Sequence, residues 1–253
     1  MKPLLSLKPI ILMLWLQIWD AINDGTIFSC PSLLSSFIVL SYADLKKYKF
    51  HYWFAFPALH SDSSWVPLEE DGKTCSTNVQ TRRAQAKPLP DVENLALAQS
   101  VKDWARDVDA RQRGFFLARR DKAHDNNYAW TIAALSSFEN GFFGDAHEED
   151  CFICFADPSN YDEAPGWMLR NLLALINRRW ALTRAQILRY CTGPSQRDCG
   201  RNVVISLCTK TSQTSETQAT SDEMPKVTGW ERNPAGKLAG RFVDLKEYLD
   251  PKR

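Results

Sequence analysis

Glycine is scarce and dispersed in this chain of 253 residues. None of its 11 glycines is separated from another by a single residue, and the nearest pairs are Gly141/Gly144 and Gly236/Gly240. A nucleotide loop needs closely spaced glycines so that backbone N–H groups can approach phosphates. With no Gly-x-Gly turn and no glycine run leading to a Walker lysine, the sequence offers no nucleotide site. Charge of one sign is also missing: 31 lysines and arginines nearly cancel 30 aspartates and glutamates, leaving +1. No global field draws in nucleic acid or an anionic membrane. The pairs Arg82-Arg83 and Arg119-Arg120 are too short to form a phosphate-binding stripe. A regular cysteine framework is absent as well. The seven cysteines, at 30, 75, 151, 154, 191, 199 and 208, are odd in number and scattered, which points to reduced thiols in the cytosol. No apolar run is long enough to span a bilayer. The longest, within residues 4–16, follows a basic start as in a signal peptide. No small-x-small cleavage site follows it, since Trp19 stands two positions before Ala21. The spacing predicts instead a buried amphipathic helix reaching Ile22 and stopped near Gly25.

What remains is the composition of an ordinary globular protein, 44% hydrophobic and 24% charged, in one large domain or two small ones. No internal repeat is present. Two polar stretches, residues 60–90 and 209–226, lack apolar periodicity and read as long loop insertions between core elements. Strands are expected at Phe37–Leu40 and across Phe50, Tyr52, Phe54 and Phe56, with a turn at Ala43–Lys47 between them. Both faces of the second strand are apolar, so it is expected to be central and covered on both sides. Further strands are expected at Phe115–Ala118, Cys151–Phe155, Ile187–Tyr190 and Val203–Cys208. Leu97, Val101, Trp104 and Val108 repeat at helical spacing, with Asp91 as a candidate cap. Leu169, Leu172, Leu173, Ile176 and Trp180 form a second stripe, with Pro165 near its start. The fold class is α+β, or irregular α/β: a mixed β-sheet spine flanked by helices.

The sharpest chemical cluster is His147-Glu148-Glu149-Asp150-Cys151-Phe152-Ile153-Cys154. A Cys-x-x-Cys beside a histidine could seed a zinc site, with Cys191 or Cys199 as fourth ligand, or form a redox pair. The apolar residues around it read as a buried strand, on which positions i and i+3 point to opposite faces. Buried structural thiols are therefore favoured over zinc or redox chemistry. Glu148-Glu149-Asp150 reads as a solvated loop, with an acidic docking surface as the alternative. Asp157-Pro158-Ser159 and Asp44 look like turn and cap chemistry. His51, His60 and His124 have no serine or cysteine partner identifiable by spacing. Tyr52-Trp53-Phe54, Trp167 and Trp180 read as core. Trp230 is the better candidate for a half-exposed tryptophan at a domain seam.

Three stretches together resemble one family: Tyr42-Ala43-Asp44-Leu45-Lys46-Lys47-Tyr48 with Trp53-Phe54 and Pro57-Ala58-Leu59; Pro165-Gly166-Trp167 with Leu169-Arg170-Asn171 and Arg179-Trp180; and Gly229-Trp230-Glu231-Arg232-Asn233 with Asp244-Leu245 and Tyr248–Arg253. The family is autophagy-related protein seven, which activates the ubiquitin-like modifiers of autophagy. Ile18–Ile22 looks like an early helix of that family, whereas residues 1–17 are an apolar segment without a match. The resemblance covers residues 18–253 and implies the family's N-terminal domain only, incomplete at its start. It implies a docking module that recruits conjugating enzymes, and indirectly serves the modifiers, through a sheet or helix groove lined by apolar side chains. It implies no catalytic residue, no cofactor-binding residue and no metal ligand in this chain. ATP, magnesium, zinc, the catalytic cysteine and most of the homodimer contact are expected in a C-terminal half. Nucleic-acid binding and stable membrane insertion are not expected. The implied location is the cytoplasm, including the pre-autophagosomal structure. The docking residues themselves stay open. Two readings from other classes remain: a zinc or thiol protein built on Cys151 and Cys154, and a membrane-anchored or secreted protein led by residues 4–16.

Overall fold

The computed structural model describes residues 8–60, 64–68, 86–122, 128–159, 164–191, 202–209, 225, 227–231, 235 and 240–249. Helix α1 (Lys8–Asp24) buries Ile18, Trp19 and Ile22 and leaves Leu12, Met13 and Leu16 outside. It runs without a break across residues 17 and 18 and stops where Gly25 takes a left-handed φ of 84°. The Gly25 N–H closes onto the Ala21 carbonyl at 3.1 Å, the usual way a glycine ends a helix. Strands β1 (Ile38–Asp44) and β2 (Lys49–Leu59) follow as an antiparallel hairpin. Then come β3 (Trp65–Pro67), β4 (Lys87–Pro88), helix α2 (Asp91–Asp107), β5 (Phe115–Lys122), β6 (Tyr128–Ala134) and β7 (Cys151–Asp157). Helix α3 (Met168–Trp180) leads into β8 (Arg184–Cys191) and β9 (Val203–Thr209). The described chain closes with β10 (Val227–Trp230), β11 (Arg241–Asp244) and the short helix α4 (Lys246–Leu249).

The strands form two sheets rather than the single spine expected. The larger has seven strands in the order β3-β9-β8-β7-β5-β6, with β4 also on β9. Only β7 and β8 are parallel, and a parallel neighbour needs a crossover, which α3 supplies. Both faces of this sheet are covered, as β5 and β7 foretell by their continuous apolar runs. On one face Phe116, Phe152, Cys154 and Leu188 pack under Leu97 and Val101 of α2. On the other, Phe115, Ile153, Phe155 and Ile187 pack under α1 and α3. Asp91 is the first residue of α2 but caps it with no side-chain hydrogen bond, and the stripe ends at Trp104, because Val108 is already extended.

The smaller sheet is built on β2. β1 pairs along one edge, while β10 and β11 pair end to end along the other. β2 is thus central, as expected, but it is not covered on both sides throughout. Only its last residues lie against the helices, and Ala55, Pro57, Ala58 and Leu59 are buried. Residues 49–54 are half-exposed and shelter one another, with His51 5.1 Å from Phe242 and stacked on Trp53. β3 and β4 similarly share one edge of β9, so the stretch expected as a loop at 60–90 contributes two short strands. Its remaining residues 61–63 and 69–85, and 210–224 and 226 of the second expected loop, lie outside the described residues.

Candidate docking groove

The start of α3 is held by a buried ion pair. Asp157 at the end of β7 accepts from Arg189 Nε of β8 at 2.7 Å, with both side chains almost wholly buried. The same carboxylate accepts the Gly166 N–H at 3.0 Å and the Ser159 N–H at 2.8 Å. A Cβ on Gly166 would stand 2.8 Å from Asp157 Oδ1, so glycine alone lets the loop come this close. The turn chemistry read from Asp157-Pro158-Ser159 is thus present. Further along α3, Asn171 is fully buried. Its Nδ2 donates to the carbonyls of Leu34 and Pro57, each at 2.8 Å, and its Oδ1 accepts the Leu59 N–H at 2.9 Å. One amide thereby fixes α3 to β2 and to the turn at Pro31–Ser35 with its polar atoms satisfied.

Between these elements lies an open groove of about 870 Å³. The end of β2 (Phe56, Ala58) forms its floor, the start of α3 (Pro165–Trp167, Leu169, Arg170, Leu173) one wall, β10 and Glu231 the other, and Trp15 of α1 one end. Phe56 and Trp167 meet at 4.8 Å between ring centroids. Gly229 lets the second wall approach β2, and Gly240 does the same for the chain entering β11. A Cβ on Gly229 would fall 2.3 Å from the Phe56 carbonyl oxygen, and one on Gly240 2.8 Å from the Trp53 ring. Glu231 is held by Arg241 through two hydrogen bonds of 2.5 and 3.2 Å, and that guanidinium lies over the Phe54 ring at 5.2 Å. Trp230 is half-buried, and so are Tyr52, Trp53, Phe54, Trp167 and Trp180, which the sequence placed in the core; of these Trp167 and Trp180 pack against the main core cluster.

Other residues singled out by sequence do not gather with the groove. Cys151 and Cys154 lie on opposite faces of β7: Cys154 packs with Phe152, and Cys151 shares the other side with Ile153 and Phe155. Burial pushes the Cys154 thiol well up, and burial followed by the Asp150 charge raises Cys151, so neither is poised as a thiolate. Among the described residues no group of three or more His, Cys, Asp or Glu is placed to hold a metal, and no helix is long and apolar enough to cross a membrane. Glu148 and Glu149 are exposed, but Asp150 is not a solvated loop residue. It is buried against Arg120, whose Nε reaches it at 2.8 Å and whose Nη1 reaches buried Glu93 at 3.1 Å. Burial opposes the Arg120 charge, and the bonds to Asp150 and Glu93 more than restore it. His60 shares a 3.1 Å hydrogen bond with Thr228, and His51 belongs to the aromatic face. His124, Arg82, Arg83, Cys75 and Cys199 lie outside the described residues. Sequence reasoning missed the groove's closure because its walls come from residues near 15, 57, 168 and 229, and no local pattern links them.

Residues 10–249 match the family model described as the ubiquitin-like modifier-activating enzyme ATG7 N-terminus. The enzyme atg7 of Emericella nidulans is 66% identical over 237 residues, which are 93% of this chain and 34% of that protein. That of Ajellomyces capsulatus is 50% identical, over 94% of this chain and 36% of that protein. The chain therefore spans about a third of the length of these relatives. The solved Atg7 N-terminal domain of Kluyveromyces marxianus shares the fold, with a TM-score of 0.53 at 17% identity over 97% of this chain and 70% of that one. That domain has also been solved in complex with Atg10, and the alignment there gives a TM-score of 0.47 at 18% identity over 90% of this chain and 68% of that one. The chain belongs to the ATG7 family of ubiquitin-like modifier-activating enzymes and corresponds to the N-terminal domain of that family.

Proposed function

We propose that this chain is the partner-recruiting end of an enzyme that activates the ubiquitin-like modifiers of autophagy, and that it holds a conjugating enzyme while modifier is handed over. One observation carries the reading. The three sequence stretches on which the family resemblance rests lie far apart in the chain, yet each supplies a wall of the same apolar groove: Phe56 and Ala58, Pro165 to Leu173, and Gly229 to Glu231. Open apolar clefts with polar rims are where proteins seat a partner's helix or strand. Adenylation is assigned to the part of the relatives that this chain does not span, together with ATP, magnesium, zinc and the homodimer contact. The chain works in the cytoplasm, including the pre-autophagosomal structure, and fractionation of cells carrying a tagged chain tests that location.

Calorimetric titration with an Atg10-type conjugating enzyme tests the function. Saturable one-to-one binding is expected. A sample that melts cooperatively yet binds nothing ends the reading. A pyrophosphate-exchange assay tests the division of labour: the chain alone is expected to form no acyl-adenylate, and formation of one would overturn it.

A further inference from the structure

Strand β2 carries aromatic residues on both faces, a pattern that calls for cover on both sides, yet its residues 49–54 stay half-exposed. One face gathers rings from three strands. Tyr42 of β1, His51 of β2 and Phe242 of β11 stand in one row across the small sheet. The His51 ring lies 6.3 Å from Tyr42 and 5.1 Å from Phe242, and it stacks on Trp53 at 6.1 Å. Tyr42 and Phe242 each remain 51% exposed. Two residues along, Asp44, Lys49 and Asp244 form the next row on the same face, with Lys49 Nζ 3.9 Å from the Asp244 carboxylate. An aromatic centre with a charged margin has the anatomy of a protein interface.

The path of the chain selects the occupant. β11 ends in the charged row, the Leu245 N–H donates to the Tyr48 carbonyl at 2.9 Å, and α4 leaves from that same end of the sheet with Tyr248 exposed. In the Emericella nidulans and Ajellomyces capsulatus relatives about two thirds of the protein lies outside the part matched here, and because the match is to the family's N-terminus, that length follows this exit. We infer that in the whole enzyme the platform is covered by the part that follows: an apolar patch of it lies on Tyr42, His51, Trp53 and Phe242, with the Asp44–Lys49–Asp244 row as the polar margin. Tethering at the exit gives that neighbour an effective concentration on the order of millimolar, against which a second copy of the chain must compete from solution. The inference rests on family membership and is independent of what the groove holds.

Hydroxyl-radical labelling tests the inference, comparing this chain alone with this chain joined at its C-terminus to the remaining part of the Emericella nidulans enzyme. Labelling of Tyr42 and Phe242 is expected to fall roughly threefold or more in the joined protein, while that of Val92 and Leu95, exposed on α2, stays as it was. Tyr42→Glu together with Phe242→Glu is expected to return the labelling of His51 and Trp53 to that of the isolated chain. Both substituted side chains are half-exposed, so the melting temperature of the isolated chain, compared with and without the two changes, separates a lost contact from a lost fold. Unchanged labelling of the four rings in the joined protein would overturn the inference. So would protection that appears in the isolated chain as its concentration rises, the mark of a second copy, or only when an Atg10-type enzyme is added, the mark of a conjugating enzyme.

Discussion

Asn171 and Ala181 show how much of this molecule rests on single positions. Asn171 joins three backbone groups that lie more than a hundred residues away in the chain. Asn171→Leu keeps the volume but strands one N–H and two carbonyls away from water. Its expected cost is about 3 kcal/mol, read as a lower urea midpoint with an unchanged slope. Ala181 ends α3 at a φ of 48°, a left-handed conformation that a side chain makes unfavourable. Ala181→Gly is expected to stabilise the chain by up to about 1 kcal/mol, since the relief exceeds the extra freedom of glycine in the unfolded state, and the same titration checks the sign. Asn171 stands within a stretch that resembles a known family, but nothing in its neighbours says that it is a clasp. The partners belong to other elements, and a residue type that prefers turns and caps gives no local sign of a buried role.

Elements with both faces covered were legible, as was the β1–β2 hairpin, but the other edge elements were not. β5 and β7 open on continuous apolar runs, and β8 and β9 place apolar residues on both faces, because both sides of the sheet are covered. β10 and β11 are four residues each and contain glycine and arginine. They are strands only because β2 offers its free edge, which a propensity argument cannot see. β6, with the sequence YAWTIAA, was unread for a related reason: its burial follows no clean alternation. The groove was legible in part. Its floor and both its walls fall in stretches that announce the family, whereas Trp15 was read only as part of an apolar helix. The fit between β10 and β2 is tight enough to test. Gly229→Ala places a Cβ against the Phe56 carbonyl and is expected to cost about 2 kcal/mol, with loss of amide-exchange protection confined to residues 227–230. Gly114→Ala meets nothing within 4 Å and serves as the control, expected to stay within about 0.5 kcal/mol of wild type.

At the scale of the whole molecule, apolar surface is left uncovered in three regions, one of them on α2 at Val92 and Leu95. Met13 on α1 is 69% exposed, and around the small sheet Leu45 is 70% and Tyr248 82% exposed, joined there by Phe37, Tyr42 and Phe242. Patches of this kind, with β1 presenting an unpaired edge among the described residues, promote association. The isolated chain is expected to bind an apolar dye in its native state and to grow in apparent mass with concentration, which light scattering and dye fluorescence measure. A monomer that stays dye-silent at high concentration would contradict this. The order of synthesis adds a constraint of its own. A ribosome that has made Leu59 has completed a strand rich in aromatic residues, yet the neighbours for its second edge start only at Val227. At ordinary elongation rates the gap is on the order of ten seconds, long on the scale of collapse. The nascent hairpin therefore waits with that edge open until its last strands emerge.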